Sequence, residues 1–272
     1  MEATAWGWET RVQGAWWLRG SARVEGDWIV LDRTSAQSYF LDEVAEEPLV
    51  TELAAIRTPR EAADFASRYG LLRIGARDSG ELRERWSAWE GAARRLSDIL
   101  AVYRALTNAL AGEQEATETL WQDLLPRILS QPVGRAVARE GGEVVIVSAG
   151  PQNPETDANL FRLAGNWLIV TINNGLEESR ELQTTMNLGQ KAPGEFVIAP
   201  SPPTLLALAY YQAMLHLVRR DPLERCQECQ RFFIVTDRRQ RHCATACATR
   251  ARQRRWAQRK RAGVVVEDQA VP

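Results

Sequence analysis

Apolar positions in the first 41 residues fall in short runs separated by turn formers. Residues 15–18, 22–25 and 28–31 read as strands, with Gly20 and the pair Gly26 and Asp27 as turns. The period then lengthens. Residues 48–72 read as helix, with a start signal at Thr58, Pro59 and Glu61: a capping hydroxyl, a proline at the first position and an acid three residues after the cap. Ala62, Phe65, Ala66 and Tyr69 line one face, and Gly70 ends the pattern. Residues 79–110 are the longest helical candidate, capped by Ser79, with Leu82, Trp86, Trp89, Ala93, Leu96, Ile99 and Tyr103 near helical spacing. Arg83, Glu84, Arg85, Arg94 and Arg95 read as solvated charges on it.

Residues 113–138 add another helix or two, interrupted near Pro126 and at residues 131–134. Strands are expected at 141–147, 166–172 and 195–198, with a polar loop at 150–157 and a turn at Asn173, Asn174 and Gly175. That middle segment could form a pocket around Arg162, Trp167 and Arg180. Thr204 starts a helix that runs to about Arg220 and is apolar on most sides, so it is buried or meets a partner. His216 within it reads as a core or interface residue, and Asp221 and Pro222 stop it. The fold class is α+β. Residues 1–200 form a mixed body suited to sensing a ligand or dimerising, 201–222 a connecting helix, 223–262 a small unit that holds all four cysteines of the chain in a layout that reads as a treble-clef-like zinc finger, and 263–272 a tail.

Composition refines this picture. The chain of 272 residues is 45% hydrophobic and 25% charged, as expected of a globular protein with a sizeable core. Its net charge of −1 conceals an uneven distribution. Residues 219–261 hold 14 Lys plus Arg against 4 Asp plus Glu, a balance of +10 that leaves −11 for the rest. A basic end on an acidic body is the footprint of a module that meets polyphosphate. The longest aliphatic run, residues 167–172, is too short to span a bilayer, and residues 1–20 lack a signal-peptide pattern. A cytoplasmic protein without a membrane partner is expected. Trp6, Trp8, Trp16, Trp17 and Trp28 could stack nucleobases, but aromatics on half-buried strands are better read as core.

All four cysteines lie within 22 residues, as Cys226 and Cys229, then Cys243 and Cys247. Zn²⁺ takes a closed tetrahedral shell of thiolate or imidazole in structural sites, and two close pairs separated by a hairpin-sized gap supply one. The C-x2-C pair makes a knuckle. Residues 232–235 read as a strand, with a return strand at 239–242. Cys243 and Cys247 share one face of a helix's first turn, and residues 245–261 contain no Gly or Pro and favour helix. Two disulfides would need an oxidising compartment, and four reduced core cysteines in so basic a stretch would be odd. His242 adjoins Cys243 and could replace a sulfur. Four protein thiolates leave no open position, so one structural zinc is expected rather than a catalytic one.

Residues 226–261 resemble the C-terminal zinc finger, called CGNR after its motif, of bacterial proteins described as stress-induced transcription regulators. The tetrad falls on Cys247, Ala248, Thr249 and Arg250, so its Cys and Arg match while Gly and Asn are replaced. Elsewhere the resemblance is looser: a β-rich opening, the phrase from Phe65 to Leu71, and the helix before the finger. It implies DNA binding by the finger and transcriptional control by the whole.

The residues expected to meet nucleic acid are Arg250, Arg252, Arg254, Arg255, Arg259 and Arg261 on the helix, with Arg238, Arg239 and Arg241 on the preceding turn. DNA is favoured over RNA by the resemblance alone. Trp256 is read as packing the helix against the finger in preference to stacking. A zinc-stabilised protein-interaction module is the alternative, and a homodimer through the body or the connecting helix is conceivable. No catalytic residues are expected: the chain has no Gly-rich phosphate loop before a helix, no GxSxG, no HExxH, and only two histidines.

Overall fold

The computed structural model describes residues 16–45, 47–73, 82–129, 136–140, 143–147, 157–177, 185–192, 195–202, 204–237 and 239–261. The chain is α+β and divides between Arg220 and Asp221 into a body and a C-terminal unit. In chain order the body runs β1 (Trp16–Arg19), β2 (Ala22–Glu25), β3 (Trp28–Leu31), β4 (Gln37–Phe40), α1 (Leu49–Leu53), α2 (Pro59–Tyr69), β5 (Arg83–Arg85), α3 (Trp86–Leu110), α4 (Gln114–Thr119) and α5 (Leu125–Leu129). It continues through the hairpin of β6 (Ala136–Glu140) and β7 (Glu143–Val147), α6 (Asp157–Glu177), the hairpin of β8 (Thr185–Ala192) and β9 (Glu195–Ser201), and α7 (Leu205–Arg219). No helix among the described residues is long and apolar enough to cross a membrane.

Two small antiparallel sheets open the body. β1 pairs with β4, placing Trp17 opposite Tyr39, and β3 lies between β2 and β5. Ile29 and Leu31 point inward from β3, as the pleat requires of alternate residues. Trp17 is buried and donates its indole N–H to the Leu71 carbonyl at 2.9 Å, so it is core rather than a stacking platform. The capping box at Thr58 forms with both halves present, and α2 ends at Gly70. Gly70 has φ +90°, and a Cβ there would meet the Leu18 carbonyl and the Trp17 ring, so only glycine fits. Phe65 of α2 and Trp89 of α3 meet edge to face, with centroids 5.8 Å apart in the centre of the core.

Residues 48–72 form two helices with a break at residues 54–58, where the capping box restarts the chain. The long helix begins at Trp86, not at Ser79, which lies outside the described residues. Residues 83–85 are extended because β3 has an open edge and β5 fills it. Glu84 is therefore no solvated charge. It is buried and accepts the Leu72 and Arg73 amides at 2.9 and 2.6 Å, while Arg83 and Arg85 lie over the Trp28 ring at 4.5 and 5.1 Å.

Pro126 does not interrupt its helix. A wide π turn over Leu120–Leu124 links α4 to α5, with the Leu125 amide reaching the Leu120 carbonyl. Residues 136–138, read as helix, are strand, because β6 and β7 pair in register from Ala136 opposite Val147. Residues 131–134 and 148–156 lie outside the described set.

The largest departure is at residues 166–172, which are helix and not strand. Their β-branched run suggests a strand locally, but the buried positions Ala164, Trp167, Leu168 and Ile172 follow a 3.6-residue period. That face packs on α3 and α7, and tertiary burial overrides local propensity. Asn173, Asn174 and Gly175 are accordingly helical rather than a turn. Trp167 is buried and Arg162 exposed on that helix, so the pair does not border a loop. Arg180 lies outside the described residues.

α7 is capped by Thr204, whose hydroxyl accepts the Ala207 amide at 3.0 Å, and it ends at left-handed Arg220. Its first half, from Leu205 to Ala213, is buried within the body against α1, α3 and α6. Gln212 is the buried polar residue on it. Its amide donates to the Ala45 and Glu47 carbonyls at 2.9 and 2.8 Å and accepts from the Val50 amide at 3.1 Å. These bonds leave its side chain satisfied, as burial demands.

Candidate metal centre and its arginine helix

The C-terminal unit is built from a short hairpin and one helix. β10 (Leu223–Arg225) pairs antiparallel with β11 (Phe232–Ile234), and α8 (Thr245–Arg261) follows. The strand at 232–234 thus takes the segment before the knuckle as its partner. Residues 239–242, expected to be the return strand, form none. The cause is the knuckle itself. The Cys226 amide donates to the Arg231 carbonyl and the Gln230 amide to the Cys226 carbonyl, both at 2.9 Å, which folds the chain back at once. Asp237 instead accepts the amides of Arg239 at its carboxylate and Gln240 at its carbonyl, which turns the chain there.

The knuckle, the bend before α8 and the first turn of α8 converge four sulfurs; Cys243 lies two residues before the helix and not in its first turn as expected, because α8 starts only at Thr245. The Sγ atoms of Cys226, Cys229, Cys243 and Cys247 all lie within 4.8 Å of one another. Cys229 to Cys243 and Cys243 to Cys247 each measure 3.6 Å. A tetrahedron with Zn–S bonds of about 2.3 Å has edges of about 3.8 Å, so the spacing fits. The four cysteines are free thiols. Together they can hold one metal ion, and the all-sulfur tetrahedral donor set suits zinc. His242 is not among the convergent atoms: its Nδ1 stands 4.0 Å from Cys226 Sγ, outside the sulfur cluster.

Electrostatics within the cluster are unequal. Burial raises the Cys226 thiol, but the amides of Cys229, Cys243 and Glu228, with His242, outweigh it and bring its pKa down to about 5. Burial raises Cys229 and Cys243 above the ordinary thiol range, and for Cys243 each of the other sulfurs adds to the rise. Four thiolates this close repel one another, and a divalent cation is the group that relieves them.

Apolar packing around the cluster is slight. Cys226, Phe233 and Cys247 form its buried centre, with Cys229, Val235 and Cys243 packed against it. A core of this size does not stabilise a domain below about 40 residues by itself, and a metal is the usual substitute.

The arginines of α8 divide into two rows. Arg250 Nη2 donates to Cys247 Sγ at 3.2 Å, and Arg254 Nη2 pairs with Glu228 Oε1 at 2.7 Å. Positions 247, 250 and 254 share one face of a helix. Arg252, Arg255 and Arg259 fall on the opposite face and are exposed. Among the described residues none makes an ion pair with them; the Arg255 Nε donates only to the Ala251 carbonyl of its own helix at 3.4 Å. Trp256 belongs to that outer face. It is 63% exposed, so it does not pin the helix to the finger, and its ring meets only Lys260 Nζ, at 5.3 Å from the centroid.

Cys247 is the buried residue of α8. Arg261 ends the helix exposed, Arg239 and Arg241 are exposed on the loop before it, and Arg238 lies outside the described residues. The distinction between the two rows was open to sequence reasoning from the i, i+3 and i+7 spacing after Cys247. The partner Glu228, inside the knuckle, carries no such signal. Comparison with protein-family models, curated proteins and solved structures gives no match.

Proposed function

We propose that the C-terminal unit is a zinc-stabilised finger that presents the outer face of α8 to nucleic acid, DNA in preference to RNA, within a transcriptional regulator of the CGNR type. The observation that carries this reading is the exposed row of Arg252, Arg255 and Arg259, with no ion pair among the described residues and with Trp256 among them. Like charges one turn apart repel along a helix, and a row of phosphates removes the repulsion. An exposed tryptophan among guanidinium groups adds a ring that can stack on a base. The remainder of the chain, −11 by count outside residues 219–261, has the opposite charge.

The test is the salt dependence of binding by the zinc-loaded full chain to DNA and RNA duplexes of one length. Each phosphate neutralised contributes about −0.9 to the slope of log K against log salt. Gln substitution at Arg252, Arg255 or Arg259 should reduce the slope by about one unit each. Equal affinity from low to physiological salt would remove the reading, and tighter binding to RNA would reassign the partner. An enriched short sequence among retained genomic fragments would establish a specific regulator.

A further inference from the structure

Arg250 and Arg254 are set apart from the other arginines of α8 by what they touch. Arg250 reaches a sulfur of the cluster directly, at 3.2 Å from Cys247 Sγ. Arg254 reaches the other half of the cluster through Glu228, whose side chain is only 8% exposed beneath it. Glu228 stands in the knuckle between Cys226 and Cys229. One helical row therefore reaches Cys247 on the helix and, through Glu228, the knuckle that carries Cys226 and Cys229.

A metal site of four thiolates around a divalent cation carries a net charge of −2. Sulfurs that receive N–H donors hold that charge at lower cost, and a cation beside them offsets it. Cys226 Sγ has His242 Nδ1 beside it at 4.0 Å. Cys247 sits in the first turn of α8, and the donor it receives from a side chain is the Arg250 guanidinium.

We propose that Arg250 is a positioning residue of the metal centre, donating to the Cys247 thiolate from outside the coordination shell, and that Arg254 fixes the helix to the knuckle through Glu228. Neither belongs to the nucleic-acid face. The match of Arg250 to the last letter of the tetrad then reflects metal binding rather than contact with phosphate. The inference rests on the metal reading of the four cysteines and not on the nucleic-acid reading, so the two fail separately.

Cobalt(II) is a suitable probe, because thiolate ligation gives it sulfur-to-metal charge-transfer bands. The full chain is titrated with cobalt(II) and then back-titrated with zinc, as wild type and as Arg250→Gln, Arg250→Lys, Arg254→Gln and Arg255→Gln. Arg250→Gln is expected to weaken metal affinity by about 10- to 100-fold. It should also move the charge-transfer band to lower energy, because a thiolate without its donor is more electron-rich. Arg250→Lys, which keeps the charge, should recover part of both. Arg254→Gln should weaken affinity without moving the band, since it touches no sulfur. Arg255→Gln should match wild type in both readouts. If Arg250→Gln matches Arg255→Gln, the inference is overturned. If Arg250→Gln does not fold, Arg250→Ala is titrated in its place, and an unshifted band there overturns the inference equally. Absence of charge-transfer bands in wild type would overturn the metal reading, and the inference with it.

Discussion

Cys229 Sγ and Cys243 Sγ lie 3.6 Å apart although 14 residues separate them, one at the knuckle and one at the entry to α8. Phe233 and Val235 are the apolar residues beside them, too little to hold that approach against the repulsion of ionised sulfurs. If the four sulfurs hold a metal, its binding and the folding of this unit are expected to be one event. Chelation of the full chain, or Cys247→Ser, is expected to expose this segment to protease while fragments from the body stay resistant. Bound zinc should fall from one per chain. Zinc content and proteolysis unchanged in Cys247→Ser would show that the four sulfurs are not the ligands.

Gly175 faces the ring of Tyr210 where α6 meets α7, and a Cβ added to it would fall on the ring carbons. Tyr210 is fully buried, so the ring has no open side to move to. Alanine would gain about 1 kcal/mol of helix propensity, but overpacking costs about 1–3 kcal/mol. Gly175→Ala is expected to lower the denaturant midpoint of the body, with a net loss of up to about 2 kcal/mol. A higher midpoint would show that the ring yields.

These two sites also mark what could be read in advance. The C-x2-C spacing carries its own geometry, because the knuckle places two sulfurs together regardless of the rest of the fold, whereas Cys243 and Cys247 meet through the bend before α8 and not through one helical turn. The capping box at Thr58 and the caps of α7 are equally local, and they stand where the residues put them. Gly175 is the opposite case. Asn173, Asn174 and Gly175 form a turn signal on their own, and the run from Trp167 to Ile172 is β-prone. Only the faces of α3 and α7 make that segment helical, and those faces are distant in sequence. β5 fails to show for the same reason: Arg83, Glu84 and Arg85 are extended by the edge of β3 and by the amides that Glu84 receives. The split of the α8 arginines depends on Glu228, a single carboxylate whose burial no pattern announces.

Gln230 closes the knuckle with φ +60°, in the left-handed region. Its amide holds the Cys226 carbonyl at 2.9 Å, so the conformation is tied to the metal loop. A residue with a Cβ pays roughly 1–2 kcal/mol there, and a β-branched one pays more. Gln230→Gly is expected to leave zinc affinity equal or tighter, offset by glycine's entropy of roughly 0.5–1 kcal/mol. Gln230→Val should weaken zinc binding by about tenfold or more, since about 1.4 kcal/mol corresponds to a factor of ten. Competition with a chromophoric chelator reads both. Valine binding as tightly as glycine would show that the loop relaxes its backbone.

Tyr39 donates its hydroxyl to the Tyr69 carbonyl at 2.5 Å, under the strands that cover α2. Burial raises the Tyr39 phenol well above its ordinary range, while Arg19, over its ring at 4.9 Å, acts in the opposite sense. Burial also pushes Tyr69 up to about 12, with the Glu52 charge adding to the rise. In the unfolded chain both phenols ionise near 10. The folded body thus binds these protons more tightly than the unfolded chain. Their contribution to stability is complete below about pH 10 and is lost as pH rises from there through the folded values. The denaturant midpoint of the body is expected to fall steeply above about pH 10, with tyrosinate absorbance appearing together with unfolding. Tyr39→Phe removes one of the two phenols, so the alkaline fall should be shallower. It also leaves the Tyr69 carbonyl unpaired, at about 1–3 kcal/mol near neutral pH. An unchanged alkaline slope in that variant would place the linkage on other groups.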